Sequence, residues 1–172
     1  MASADTFLEP GLEQAGKPAG PCVMVLFGGA GDLTMRKLAP ALYNLAKAKL
    51  LPENFAVVGV SHDDLTLEQF REQLTRFLPP EERQSEACQW FVQRISYERG
   101  DFADPTAYAT LGKRLSDLDR DLKTGGNYLF YLATAPRFFA EVVQQLGQSG
   151  LSKQEIGYWR RVVIEKPFGD RS

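Results

Sequence analysis

The chain has 172 residues, 44% of them apolar and 24% charged, with a formal net charge of −2. That length suits one domain with a real core, and the composition excludes a disordered chain. The slightly acidic balance argues against nonspecific nucleic-acid binding, which needs a basic face.

Residues 1–20 are mixed and polar, with Gly11, Gly16, Pro18 and Gly20, and carry neither the basic nor the apolar segment of a signal peptide. They are expected to form a flexible leader ahead of one folded unit over residues 21–172. The apolar run at 23–27 predicts a strand. A helix is predicted over 32–50 from Leu33, Leu38, Ala41-Leu42 and Leu45. Pro40 should kink it or end its first segment. A second apolar run, 55–60, reads as a buried parallel strand. Thr66 and Glu68-Gln69 open a helix with Leu67, Phe70, Leu74 and Phe77 on one face, broken by Pro79-Pro80. A further helix is expected over 82–92, and a weaker strand over 95–100.

Asp104-Pro105 reads as an N-cap with proline at the first helical position, followed by the stripe Tyr108, Leu111, Leu115 and Leu118. Residues 128–132 predict a strand after the Gly125-Gly126 turn. Ala135-Pro136 starts a helix carrying Phe139, Val142-Val143 and Leu146, which ends by Gly150. A last strand, 160–164, feeds Glu165-Lys166-Pro167-Phe168-Gly169. Strands alternating with helices specify an α/β fold, a doubly wound and mostly parallel sheet of the Rossmann-like, dinucleotide-binding kind. In such sheets ligands bind beyond the carboxyl ends of the strands.

Two cysteines, Cys22 and Cys88, without a Cys-x-x-Cys motif, suggest neither a disulfide framework nor a metal site. They read as small core hydrophobes in a reducing, cytoplasmic setting. No run reaches the ~18 apolar residues of a membrane span, so neither a membrane nor a nucleic acid is an expected partner.

The first strand runs into Gly28-Gly29-Ala30-Gly31-Asp32-Leu33. Glycines let backbone N–H groups approach a phosphate closely, and the helix N-terminus adds unpaired donors and positive potential. Thr34 stands where the generic G-x-G-x-x-G fingerprint has its third glycine. Asp32 has two readings, a like charge beside phosphate or an N-cap of its helix, and the second fits better.

The sequence resembles the glucose-6-phosphate dehydrogenase family. The resemblance rests on Phe27-Gly28-Gly29-Ala30-Gly31-Asp32-Leu33 with Arg36-Lys37-Leu38-x-Pro40, and on Val57-Val58-Gly59. It continues through Tyr131-Leu132-Ala133, Ala135-Pro136-Arg137-Phe138-Phe139 and Val163-Ile164-Glu165-Lys166-Pro167-Phe168-Gly169. The last motif alone also looks like sugar oxidoreductases related to glucose-fructose oxidoreductase, but the Gly-x-x-Gly-Asp-Leu opening does not.

The resemblance implies that Gly28, Gly29, Ala30, Gly31, Asp32 and Leu33, with Lys37, hold the pyrophosphate of NADP. Ser61 and His62 would read the adenosine ribose, Asp101 and Phe102 would flank the adenine, and Ala133 to Pro136 would line the nicotinamide. For Phe102 a loop aromatic folded into the core is the competing reading. Lys166 would contact both coenzyme and glucose 6-phosphate, the substrate of oxidative pentose phosphate metabolism. His62-Asp63 stands where the family places an arginine for the 2′-phosphate. A histidine is a weaker and less constant charge than arginine, and an acidic residue suits a free 2′-hydroxyl. Weakened NADP preference, with NAD also accepted, is therefore expected.

The family's Arg-Ile-Asp-His-Tyr motif, which carries the catalytic histidine, is not in this sequence, nor is its large β+α substrate and dimerisation domain. His62 is the single histidine. The expectation is a coenzyme-binding portion without a catalytic base, inactive alone, from a family of homo-oligomers. A noncatalytic nucleotide-binding or regulatory module stays open as the alternative.

Overall fold

The computed structural model describes residues 20–28 and 32–164, with residues 32–34 described by their backbone alone. The chain begins with strand β1 (Cys22–Phe27), helix α1 (Asp32–Lys47) and strand β2 (Phe55–Ser61). Helices α2 (Leu67–Thr75) and α3 (Glu86–Gln93) then lead to β3 (Ile95–Arg99). Helix α4 (Pro105–Leu122), strand β4 (Tyr128–Leu132), helix α5 (Phe139–Ser149) and strand β5 (Arg160–Ile164) complete the order. All five strands are parallel, in the order β3-β2-β1-β4-β5.

The apolar runs become strands because both their faces are covered. β1 and β2 are buried along their whole lengths. Cys22, Met24 and Leu26 pack with Leu38 and Leu42 of α1, Phe70 and Leu74 of α2 and Phe91 of α3. Val23, Val25 and Phe27 point the opposite way, against Tyr108, Leu111 and Leu115 of α4 and Val142 and Leu146 of α5. The period-two alternation of a strand thus supplies two cores from one run. Gly59 serves the first core: a Cβ there would lie 2.2 Å from Cζ of the Phe70 ring, a clash. Both cysteines are buried. Burial pushes the Cys22 thiol up to about 12, which fits a core hydrophobe rather than a nucleophile.

Several element boundaries differ from the sequence expectation. Pro40 does not end α1, which runs through it. Leu38, Ala39, Leu42 and Tyr43 on either side are all buried, and this packing outweighs the missing N–H. The helix stops at Lys47 rather than residue 50. Lys49 takes a left-handed φ of 60°, and Leu50 and Lys49 donate to the Leu45 and Ala46 carbonyls, closing a Schellman-type end without glycine.

The helix expected from residue 82 starts at Glu86, because the Ser85 hydroxyl accepts the Cys88 N–H at 3.1 Å. Residues Pro80–Glu82 form a separate 3₁₀ turn. Ala135-Pro136 likewise opens a 3₁₀ turn, Pro136–Phe138, before α5. Leu67 and Val143, placed on apolar stripes by spacing, are exposed. The Thr66 capping box and the Asp104 cap form as expected. The expected leader, residues 1–20, lies outside the described residues except for Gly20. Among the described residues no helix is long and apolar enough to cross a membrane.

Candidate functional site

Because the strands are parallel, the loops leaving β1, β2, β3 and β4 gather along one edge of the sheet. Chain order reverses at β1, which lies between β2 and β4. A crevice at such a switch point is where ligands bind in open α/β sheets.

Gly28 sits at that point. Its N–H donates to the Val60 carbonyl at 2.8 Å, and the Ala133 N–H donates to the Phe27 carbonyl at 2.9 Å. The turn is thus tied to the ends of both β2 and β4. Gly28 has φ +81°, and a Cβ would lie 3.1 Å from the Ala133 oxygen and 3.0 Å from Thr134 Cγ2. Conformation and space both select glycine. The chain then reaches the N-terminus of α1, whose free N–H donors and dipole favour an anion. Lys37 is exposed on α1. Gly29, Ala30, Gly31 and Lys166 lie outside the described residues, as do the side chains of Asp32 and Leu33.

The end of β2 is fixed by side chains. Ser61 is buried, and its Oγ lies 2.6 Å from the Tyr97 hydroxyl and accepts the Asp63 N–H at 3.2 Å. Tyr97 has one proton, and its hydroxyl is also 2.6 Å from the Asp63 carbonyl. That carbonyl can only accept, so Tyr97 donates to it and Ser61 donates to Tyr97. The Ser61 proton is therefore engaged by Tyr97, and the residue acts as a brace for the loop. His62 and Asp63 are exposed beyond it.

Asp101 Oδ1 accepts the Ala103 N–H at 2.9 Å, turning the loop after β3. The Phe102 ring packs edge-on to Phe27 at 5.9 Å and to Phe138 at 5.7 Å. The ring leans on the core and stays partly exposed. Ala133 is half-buried directly after β4, and Pro136 is exposed at the start of its turn.

Arg99 was not among the sequence candidates. It is the last residue of β3, paired in register with Ser61. Its Nε donates to the His62 carbonyl at 3.2 Å, and an Nη atom lies 3.8 Å from Asp64.

The family model for the NAD binding domain of glucose-6-phosphate dehydrogenase matches residues 25–172. The chain belongs to the glucose-6-phosphate dehydrogenase family. Glucose-6-phosphate 1-dehydrogenase of Aggregatibacter actinomycetemcomitans is 42% identical over 149 residues, covering 86% of this chain and 30% of that protein. Glucose-6-phosphate 1-dehydrogenase 2 of Mycobacterium tuberculosis is 41% identical over 160 residues, covering 88% of this chain and 30% of its own length.

A solved glucose-6-phosphate dehydrogenase in complex with glucose 6-phosphate matches 91% of this chain and 32% of its own, at 28% identity and a TM-score of 0.76. The enzyme of Mycobacterium avium matches 87% of this chain at 28% identity and a TM-score of 0.69. The chain thus spans about a third of the length of these relatives. The coenzyme class of the family, a nicotinamide dinucleotide, suits a glycine at the end of β1, where a side chain would crowd the Ala133 backbone.

Proposed function

We propose that this chain is the coenzyme-binding portion of a glucose-6-phosphate 1-dehydrogenase, which oxidises the C1 hydroxyl of glucose 6-phosphate to 6-phosphoglucono-1,5-lactone. The observation that carries this reading is Gly28, held with φ +81° between the ends of β2 and β4, where a Cβ would press on the Ala133 backbone at 3.1 Å. When bound, the nicotinamide coenzyme supplies the hydride acceptor. Gly28 through Leu33 hold its pyrophosphate, with Lys37 nearby. Ser61, through the loop it braces, and His62 shape the adenosine-ribose end. Asp101 and the edge of Phe102 border the adenine, and Ala133 and Pro136 border the nicotinamide. Lys166 holds the sugar phosphate against the coenzyme. NADP is the coenzyme, with NAD also accepted because His62-Asp63 replaces a fixed arginine charge.

The proton of the C1 hydroxyl goes to a base that this sequence does not contain, so the chain alone binds coenzyme without turnover. Two measurements test the reading. Calorimetric titration should show coenzyme binding, lost in Gly28→Ala because the added Cβ strains the turn and meets the Ala133 backbone. An assay with glucose 6-phosphate should show no reduction of either coenzyme. Undiminished binding by Gly28→Ala would overturn the site, and robust turnover would overturn the missing base.

A further inference from the structure

We infer that Arg99 is the group that distinguishes a 2′-phosphorylated coenzyme from a 2′-hydroxyl one, acting from β3 in place of a cation on the β2 loop. The inference rests on the coenzyme reading above. In dinucleotide-binding sheets the ribose 2′ position is read just beyond the end of β2, by an acidic side chain for a hydroxyl or by an arginine nearby for a phosphate. Here that loop is Ser61 through Asp64, and its side chains offer one histidine and two carboxylates. The fixed positive charge beside it comes from the neighbouring strand.

Three features place that charge. The register sets Arg99 directly opposite Ser61, and the Gly100 N–H donates to the Ser61 carbonyl at 2.8 Å, so the two strand ends are locked together. The Arg99 Nε donates to the His62 carbonyl, which anchors the guanidinium at the loop by its inner edge. The Ser61–Tyr97–Asp63 bonds fix the residues on either side of that carbonyl. Tyr97 and Arg99 are two residues apart on one strand and so share a face of the sheet; both act on the same turn.

The outer edge of the guanidinium remains available. The Nη atoms make no hydrogen bond among the described residues. The nearest carboxylate, Asp64, is 3.8 Å away and 90% exposed, while the Arg99 side chain is 62% exposed. A solvent-screened pair at that distance is weak, so a phosphate dianion can displace it. Arginine's planar fork suits bidentate phosphate binding. Asp63 and Asp64 oppose a dianion, so the selectivity that Arg99 confers is partial, in line with use of both coenzymes.

The test is calorimetric titration of the 172-residue chain and its Arg99→Gln and Arg99→Lys variants with NADP and with NAD. Arg99→Gln should weaken NADP binding about tenfold or more and leave NAD within twofold; Arg99→Lys should retain part of the difference. Added salt should weaken NADP binding more in the parent than in Arg99→Gln. Unchanged NADP affinity in Arg99→Gln, or equal weakening of both coenzymes, would overturn the role of Arg99 and leave the coenzyme site standing. Failure of the parent chain to bind either coenzyme would overturn the coenzyme site and this inference with it.

Discussion

The two edges of the sheet are finished differently. At the β3 edge several side chains are tied to neighbouring elements. Arg71 of α2 donates to the Ile95 and Gln93 carbonyls, Glu98 pairs with Arg114 of α4, and the Tyr97 ring lies tilted against Phe70 at 4.9 Å while its hydroxyl bonds the loop after β2. At the β5 edge Arg160 is held by the Gly126 and Leu151 carbonyls and by the rings of Tyr128 and Tyr158. Beyond it Val162 and Ile164 stay exposed. In register they continue the row of Phe130 and Leu132, both fully buried. The same face of the sheet is thus covered as far as β4 and open at β5. Ion pairs and aromatic packing make β3 a managed edge, and Tyr97 and Arg99 tie it to the loop after β2.

The largest way to break this contrast is Phe70→Ala. Phe70 is fully buried, fills the space that Gly59 leaves and supports Tyr97. Loss of a buried phenylalanine costs about 3–5 kcal/mol. Urea denaturation should show that loss, together with weakened coenzyme binding as the β2 loop loses its brace. Unaltered stability would mean that the β3 side does not depend on this contact.

Much of this was legible in the sequence, for local reasons. β1, β2 and β4 are short apolar runs bounded by turns, and their burial on both faces follows from that. Gly28 was legible because its turn, strand and helix are consecutive. The misread boundaries are places where two signals compete. Pro40 is a helix breaker flanked by four side chains that the core demands. Pro80 and Ser85 both offer helix starts five residues apart, and only the second supplies a side-chain cap. Arg99 was not legible at all. Its meaning depends on a contact with His62 made across 37 residues, and only the register of two strands supplies it. The packing of Phe102 depends on Phe27 and Phe138 in the same way.

A smaller effect should appear in acid. Glu82 gathers the corner between α1 and α3 on the β3 side, accepting from Lys47 Nζ at 2.9 Å and from the Tyr43 hydroxyl at 2.7 Å. The Lys47 hydrogen bond first, and the Tyr43 hydrogen bond second, hold its carboxyl below the ordinary value of 4.5. A depressed carboxylate contributes stability that is present above its unfolded value and is lost as pH falls through the lower folded value. Urea midpoints should therefore fall as pH drops below 4.5. Glu82→Gln should flatten that part of the profile; an identical profile in the variant would remove Glu82 from the account.

The smallest expected effect lies at the opposite edge. Val162 is 38% exposed, and surface substitutions away from special features change stability by about 0.5 kcal/mol or less. Val162→Lys should therefore leave the urea midpoint almost unchanged. A lysine on an open apolar edge opposes strand-to-strand pairing between molecules, so any concentration-dependent association seen by sedimentation velocity should fall. The same change at Val60, only 4% exposed under α4, would bury an unpaired charge and should unfold the protein. The two valines differ in what covers them, not in residue type. Equal effects at both positions would mean that β5 is as enclosed as β2, and that the two edges do not differ.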